Sequence, residues 1–343
     1  MTAALAGFLV LPAALLLDCL FSEPPARVHP VVWMGRLAEL AERFFRNRFA
    51  CPARLPGDAP ATGACARRER TAGMLACLAA TGPWTLGAWL GGSFAEGLGP
   101  GAGMLAASLC AWLCMAPESL ARHALRVQEP LRGGDLAGAR LALSAIVGRE
   151  TASLNEAGIA RACIESVAEN LADGVLATLF WSMAGWLAWG APGACALPVL
   201  HRAANTLDAM WGKKNGRYLH FGCLAARLDD ALGFVPARLA LPAIAAAALL
   251  LPETCASRTL DEGWAFRHAH ESPNSAWSEA PFAGALRLRL GGPAVYQGVP
   301  VRHPWLGWGS PHATWRDIAS AVRLMRTATV LAVIASALAM SLG

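Results

Sequence analysis

The sequence predicts an all-α, multi-pass integral membrane protein with large cytoplasmic helical loops. Three observations carry that prediction. Of 343 residues, 55% are hydrophobic and only 15% charged, whereas a soluble domain keeps roughly a quarter of its residues charged. Several apolar runs approach the ~20 residues a helix needs to cross a hydrocarbon core about 30 Å thick. The segments between these runs are rich in arginine, the mark of cytoplasmic loops.

The apolar runs are 3–20, 72–95, 101–117, 171–198, 232–252 and 328–342, giving four to six crossings within one membrane-embedded domain, 1–343. The first lacks a basic n-region and a small-residue cleavage site, so it reads as a retained membrane segment. Residues 72–117 form a hairpin around EGLGPGAG. Arginines flank it on both sides, Arg36, Arg43, Arg46, Arg48, Arg54, Arg67, Arg68 and Arg70 before and Arg122, Arg126, Arg132, Arg140 and Arg149 after, which puts both flanks in the cytoplasm. The 171–198 run is broken by Gly190, Pro192 and Gly193, which permits a re-entrant or doubled-back path. Residues 118–170 read as two or three helices, one N-capped by Asp135 and another by Thr151 or Ser153.

Several function classes are excluded. The net charge of +5 is spread over many loops and forms no basic stripe, so nucleic acid is not a partner. Ten cysteines without a two-residue spacing read as small buried hydrophobes in a reducing compartment. No P-loop, G-x-S-x-G or H-E-x-x-H motif occurs.

Three regions carry chemistry. In ACIESVAENLADG, Glu165, Glu169 and Asp173 recur at i, i+4, i+8, a carboxylate stripe with Asn170 at its edge. Like charges at this spacing repel, and a cation such as Mg²⁺, which takes one or two carboxylates plus phosphate oxygens, relieves the repulsion. A solvated face balanced by Arg161 accounts for the same pattern. In 201–239, Asn205 and Asp208 share a helix face, WGKKNGRY is a cationic turn, and Arg227, Asp229 and Asp230 precede the next apolar run. Here the bland reading is a loop whose cations set topology. In 270–292, Ser272, Asn274 and Ser275 offer polar groups beside Trp277 and Glu279, with helix capping by Ser275 or Ser278 as the bland reading. His29 lies in a Pro-rich turn, and His268 with His270 reads as an exposed loop pair.

The order of HPVVWMGR (29–36), IVGRET (146–151), ESVAENLADGVLATLF (165–180), NTLDAMWGKKNGRYLHFG (205–222), ARLDDALGFVPARL (226–239) and SPNSAWSEAPFAGALRLRLGG (272–292) resembles the adenosylcobinamide-phosphate synthase family of cobalamin biosynthesis, CobD/CbiB. The match is collinear over most of the chain. Departures are Glu150 for Asp, Lys213 for an aromatic, Ala226 for Ser and Ser275-Ala276 for Ala-Gly.

The resemblance implies a bacterial inner-membrane ligase with a cytoplasm-facing active site. It would join an amino-alcohol phosphate, typically (R)-1-aminopropan-2-yl phosphate, to the free carboxylate of the corrinoid adenosylcobyric acid, with ATP as co-substrate and Mg²⁺. Membrane lipid and other cobalamin-pathway enzymes are the expected partners. Residue chemistry then assigns Glu165, Glu169 and Asp173 to the metal. Asp208, Asp229, Asp230 and Arg227 become catalytic candidates, the acids binding a second metal or taking the amine's proton. His29, Arg149, Asn170, Asn205, Lys214, Asn215, Arg217, Ser272, Asn274, Trp277 and Glu279 become candidates for binding substrate and phosphate. Two other readings use the same residues: a Mg²⁺-dependent intramembrane prenyltransferase, and a transporter, which needs acids at mid-membrane depth and an internal repeat.

Overall fold

A computed structural model describes residues 2–49, 57–296 and 299–342; Arg54 lies outside the described residues. The elements are α1 (Ala3–Phe21), α2 (Pro30–Phe49), α3 (Gly63–Gly97), α4 (Pro100–Cys114), α5 (Pro117–Arg132), α6 (Leu136–Ser144), α7 (Glu156–Asn170), a π-helical segment (Leu171–Leu176), α8 (Ala177–Trp211), α9 (Cys223–Leu250), α10 (Ala256–Phe266), α11 (Ala276–Leu286), β1 (Leu290–Tyr296), β2 (Val299–Leu306) and α12 (Trp315–Met340). Among the described residues, five stretches are long and apolar enough to cross a membrane: Ala3–Phe21, Pro100–Arg132, Glu156–Trp211, Cys223–Leu250 and Trp315–Met340. The protein is thus a helical membrane protein with one small antiparallel hairpin, β1–β2, added to the expected helices. The 72–95 run lies on α3, which is not among the five. Gly82, Pro83, Gly87, Gly91 and Gly92 dilute its hydropathy, yet Leu78, Leu86, Leu90 and Phe94 form an exposed apolar stripe along it.

The chain forms two compact units. Unit 1 comprises Met1–Met115, Ala177–Gly233 and Ser336–Gly343; unit 2 comprises Ala116–Leu176 and Phe234–Ala335. In unit 1, α2 and α8 pack on α3 through small residues, Ala72, Ala76, Cys77 and Ala80, against Leu207, Trp211 and Phe221. Small side chains let helix backbones approach closely where lipid supplies no drive to associate. The α3–α4 hairpin turns at Leu98 and Gly99 (φ +125°). Within α8 the chain reverses at Trp189 and Gly190, whose φ of +66° suits glycine. The limbs then meet so closely that a Cβ on Gly185 would lie 2.2 Å from the Gly193 carbonyl oxygen. The Glu96 carboxylate accepts from the Ala191 N–H at 3.3 Å, capping the second limb. Of the two paths that the breaks in 171–198 permit, the chain takes the doubled-back one within α8.

In unit 2, Asp135 caps α6 by accepting from the Gly138 N–H (2.9 Å). Asn155, and neither Thr151 nor Ser153, caps α7, accepting from the Gly158 N–H (2.9 Å), because helical geometry begins only at Glu156. Ser275 precedes α11 but makes no side-chain cap bond, and the Ser278 hydroxyl donates to the Ser275 carbonyl instead. Helix α11 is buried over Ala276–Ala285, as expected of a helix apolar on all sides. It packs against α7, α10 and the β hairpin. Glu262 on α10 is fully buried and bonded to Arg258 (2.7 Å) and the Trp308 N–H (3.1 Å). Among the described cysteines, eight are free thiols, whereas Cys65 is disulfide-bonded. That corrects the uniform reading of the cysteines as buried thiols, and Cys19 is in addition exposed.

Candidate active site

Unit 2 holds a cavity of about 180 Å³ lined by Arg149, Glu165, Glu169, His270, Glu279 and His303, with Gly291 and Gly292 at its wall. Buried Glu165 is held three ways. Arg149 contacts Oε2 at 2.6 Å, Arg161 lies 3.8 Å from Oε1, and the Gly291 N–H donates to Oε1 at 2.6 Å. Gly291 and Gly292 have φ of +76° and +80° beside a bulge, which aims that N–H at the carboxylate. Arg161 in turn lies 4.8 Å from the Trp305 ring. Buried carboxylates persist when paired and hydrogen-bonded like this.

Glu279, on buried α11, faces the acidic stripe. Burial raises its pKa well above the usual carboxylate value, the charges of Glu169, Glu165 and Asp173 add to the rise, and Arg149 opposes it. Burial and the neighbouring carboxylates thus favour the protonated form of Glu279. The stripe itself is not a straight α-helical row, because Leu171–Leu176 is a π-turn and Asp173 is rotated out of the i+8 position. The Asn170 amide donates back to the Ser166 carbonyl at 2.8 Å.

Two histidines complete the cavity. The rings of His270 and His303 are near parallel (9°) with centroids 6.1 Å apart. Burial lowers the His270 pKa, His303 lowers it further, and Glu271 opposes. Its Nδ1 accepts from the Ser272 N–H at 3.0 Å, which leaves the proton of the neutral ring on Nε2. His270 therefore faces the cavity while His268 stays exposed, which corrects its reading as half of an exposed pair. Sequence reasoning missed His303, 33 residues further on with no motif around it, whereas Arg161, read as balancing the stripe, does lie beside Glu165.

The other predicted residues of unit 2 sit on the adjoining turn and do not line this cavity. The Ser272 hydroxyl accepts from the Asn274 N–H (3.3 Å), and the Asn274 side-chain oxygen accepts from Arg238 (2.8 Å). The Arg238 guanidinium lies 5.0 Å from the Trp277 ring. The Trp277 Nε1 is a buried donor with no hydrogen-bond partner among the described residues.

Unit 1 holds the second cluster. Asp208 and Asp230 lie close enough for their charges to interact, with Lys214 beside Asp230. Asn205 stands one turn before Asp208, and Asp229 and exposed Arg227 share the start of α9. Gly212 is required here, since a Cβ would fall 1.9 Å from Asp208 Oδ1. Asn215 and Arg217 have internal roles. The Asn215 side-chain oxygen accepts from the N–H groups of Arg217 (3.1 Å) and Tyr218 (3.0 Å), and Arg217 donates to buried Glu42 at 2.9 Å, where Arg46 also binds (2.9 Å). His29 accepts from the Val31 N–H (3.2 Å) and lies 4.0 Å from Glu23. Burial lowers its pKa, Glu23 opposes and Arg202 adds to the fall.

Among the described residues no three His, Cys, Asp or Glu side chains converge to hold an ion. Glu165 is occupied by arginines. Glu169 lines the cavity and Asp173 follows it in the π-turn, so at most these two carboxylates would be offered to a Mg²⁺ ion, which would complete its shell with phosphate oxygens and water. The cavity, below the ~300–1,000 Å³ of sites for drug-sized molecules, has room for a phosphoryl group but not for a nucleotide or a corrin.

The profile of the CobD/Cbib protein family matches residues 11–325. The chain is 40% identical over 320 residues to the cobalamin biosynthesis protein CobD of Klebsiella pneumoniae, covering 93% of both chains. It is 44% identical to CobD of Chromobacterium violaceum, over 92% of this chain and 91% of the relative, and 39% identical to the cobalamin biosynthesis protein CbiB of Salmonella choleraesuis, over 93% of both. No solved structure matches. With the profile spanning nearly the whole chain and such relatives aligned almost end to end, the chain belongs to the CobD/CbiB family.

Proposed function

We propose that this protein acts in cobalamin biosynthesis as an ATP-dependent amide ligase of the bacterial inner membrane. It joins (R)-1-aminopropan-2-yl phosphate to the free carboxylate of adenosylcobyric acid, giving adenosylcobinamide phosphate. Family membership supports the pathway. The observation that carries the chemistry is the buried cavity in which Arg149 meets Glu165 beside a carboxyl-rich wall.

A free carboxylate and an amine do not condense at pH 7 without activation. In the proposed reaction a carboxylate oxygen of the corrinoid attacks the γ-phosphorus of ATP, the bond to ADP breaks, and an acyl phosphate forms. The amine then attacks the acyl carbon, the C–N bond forms, and phosphate leaves with the acyl oxygen's electron pair. Arg149, fixed by Glu165, supplies positive charge where the phosphoryl group moves. Protonated Glu279 donates a hydrogen bond to a phosphoryl oxygen. Glu169 and Asp173 would hold Mg²⁺, which supplies charge neutralisation on the phosphates. In unit 1, Lys214 and Arg227 suit the amine's phosphate, Asn205 orients it, and Asp208, Asp229 or Asp230 takes the ammonium proton so that the amine becomes nucleophilic.

The test is to incubate detergent-purified protein with adenosylcobyric acid, aminopropanol phosphate, ATP and Mg²⁺, omitting each in turn and following corrinoid mass. A gain equal to the amine less water, lost without ATP or Mg²⁺, is expected. Absence of corrinoid binding overturns the proposal.

A further inference from the structure

Helix α2 is not one of the membrane-crossing stretches, yet it has two apolar faces. One, with Met34, Ala38 and Ala41, is buried in unit 1. On the other, Trp33, Leu40 and Phe44 are 46%, 62% and 63% exposed. Their spacing of seven and four residues makes them a single stripe, and Arg48, four residues on, continues it. Arg36 and Arg43 flank the stripe, whereas Arg46 is turned inward to Glu42. A helix with this distribution lies in the membrane interface, its apolar face among acyl chains and its arginines at headgroup level.

A second, independent observation stands where the stripe ends. Arg48 and Phe49 from α2, with Ala64, Arg67, Arg68 and Thr71 from α3, line a cavity of about 590 Å³. Three arginines, all exposed, line it, and no acidic side chain is among the described lining residues. Guanidinium groups bind phosphate through paired N–H donors, and basic clefts between membrane helices take anionic headgroups.

We propose that this cleft is a binding site for an anionic phospholipid. The lipid's phosphate sits among Arg48, Arg67 and Arg68, and its acyl chains lie along Trp33, Leu40 and Phe44. A lipid fits better than a soluble phosphate because the charged cleft and the exposed apolar stripe are continuous along one helix.

The test is native mass spectrometry of the full-length protein titrated with dioleoylphosphatidylglycerol or dioleoylphosphatidylcholine. The wild type is expected to prefer phosphatidylglycerol. R67Q/R68Q should lose about tenfold or more of that affinity, at roughly a factor of five for each arginine near the headgroups, and R67K/R68K should keep most of it. The control R126Q/R302Q removes the same charge elsewhere and should change little. Equal affinity for the two lipids overturns the proposal, as does an equal loss in the control. Displacement of the lipid by equimolar inorganic phosphate or ATP also overturns it, by assigning the cleft to a soluble anion. A misfolded R67Q/R68Q would show as aggregation on size exclusion; the affinities of R67K/R68K and of Phe44→Ser, expected to fall about threefold or more through the apolar stripe alone, then decide the matter.

Discussion

Glu165 of unit 2 lies inside the protein with Arg149 bonded to it and Arg161 close by, whereas Asp208, Asp229 and Asp230 of unit 1 are half-exposed near helix ends. Glu165 serves its surroundings before it can serve a substrate: it fixes Arg149, Arg161 and the Gly291 N–H at once. The charges of Asp208 and Asp230 interact within reach of Lys214, and both acids are half-exposed, so removing one should cost less in folding than removing Glu165. A loss of activity therefore means different things in the two places.

The largest effect separates them most sharply. Glu165→Ala leaves two arginines without their buried partner and should cost about 3–5 kcal/mol, seen as a collapse of the folded yield on fluorescence size exclusion; an unchanged yield would show that Arg149 and Arg161 are held by something else. Asp208→Asn should keep the folded yield and lower the ligation rate by about 10²-fold or more, read in the corrinoid mass assay. An unimpaired rate would remove Asp208 from the chemistry and leave Asp229 and Asp230 as the candidates. Within unit 1, Asn215→Ala should cost about 1 kcal/mol in thermal unfolding, because two turn N–H groups lose their acceptor. The smallest effect needs a pH series. The folded-state pKa of Glu279 is raised, so its folded form holds a proton that the unfolded chain releases near pH 4.3. Stability from this group is fully present below that value and declines as pH rises towards the folded pKa. Glu279→Gln should therefore melt higher than wild type at neutral and alkaline pH and match it at pH 4; parallel curves would mean that Glu279 is ionised in the fold.

How much of this was legible depended on the range of the interaction. The Asp135 cap is local, carried by residues within a turn of where it acts, and could be read directly; Gly190, Pro192 and Gly193 marked a break in α8, but the choice of path there needed the packed helices. The α7 start was misplaced by a few residues because Thr151, Ser153 and Asn155 are all competent caps, and only the packed helix decides among them. The β hairpin was not seen, since its glycines and prolines mask the strand alternation. The carboxylate stripe was read as α-helical throughout, and the π-turn that displaces Asp173 leaves no sign in LADG. The pairing of Glu165 with Arg149 and the stacking of His270 on His303 were beyond sequence reasoning, because neither spacing belongs to any helix or strand period. Family resemblance identified these segments without showing who touches whom.

The contact between Gly185 and Gly193 has a practical side. Two backbones that meet with no side chain between them are joined by dispersion and shape, and nothing in that contact depends on expelling water. Exchange of lipid for detergent leaves its strength unchanged, so the reversal in α8 persists through solubilisation. A probe placed there gives a fixed reference for judging whether an inactive preparation has lost its fold or only a ligand.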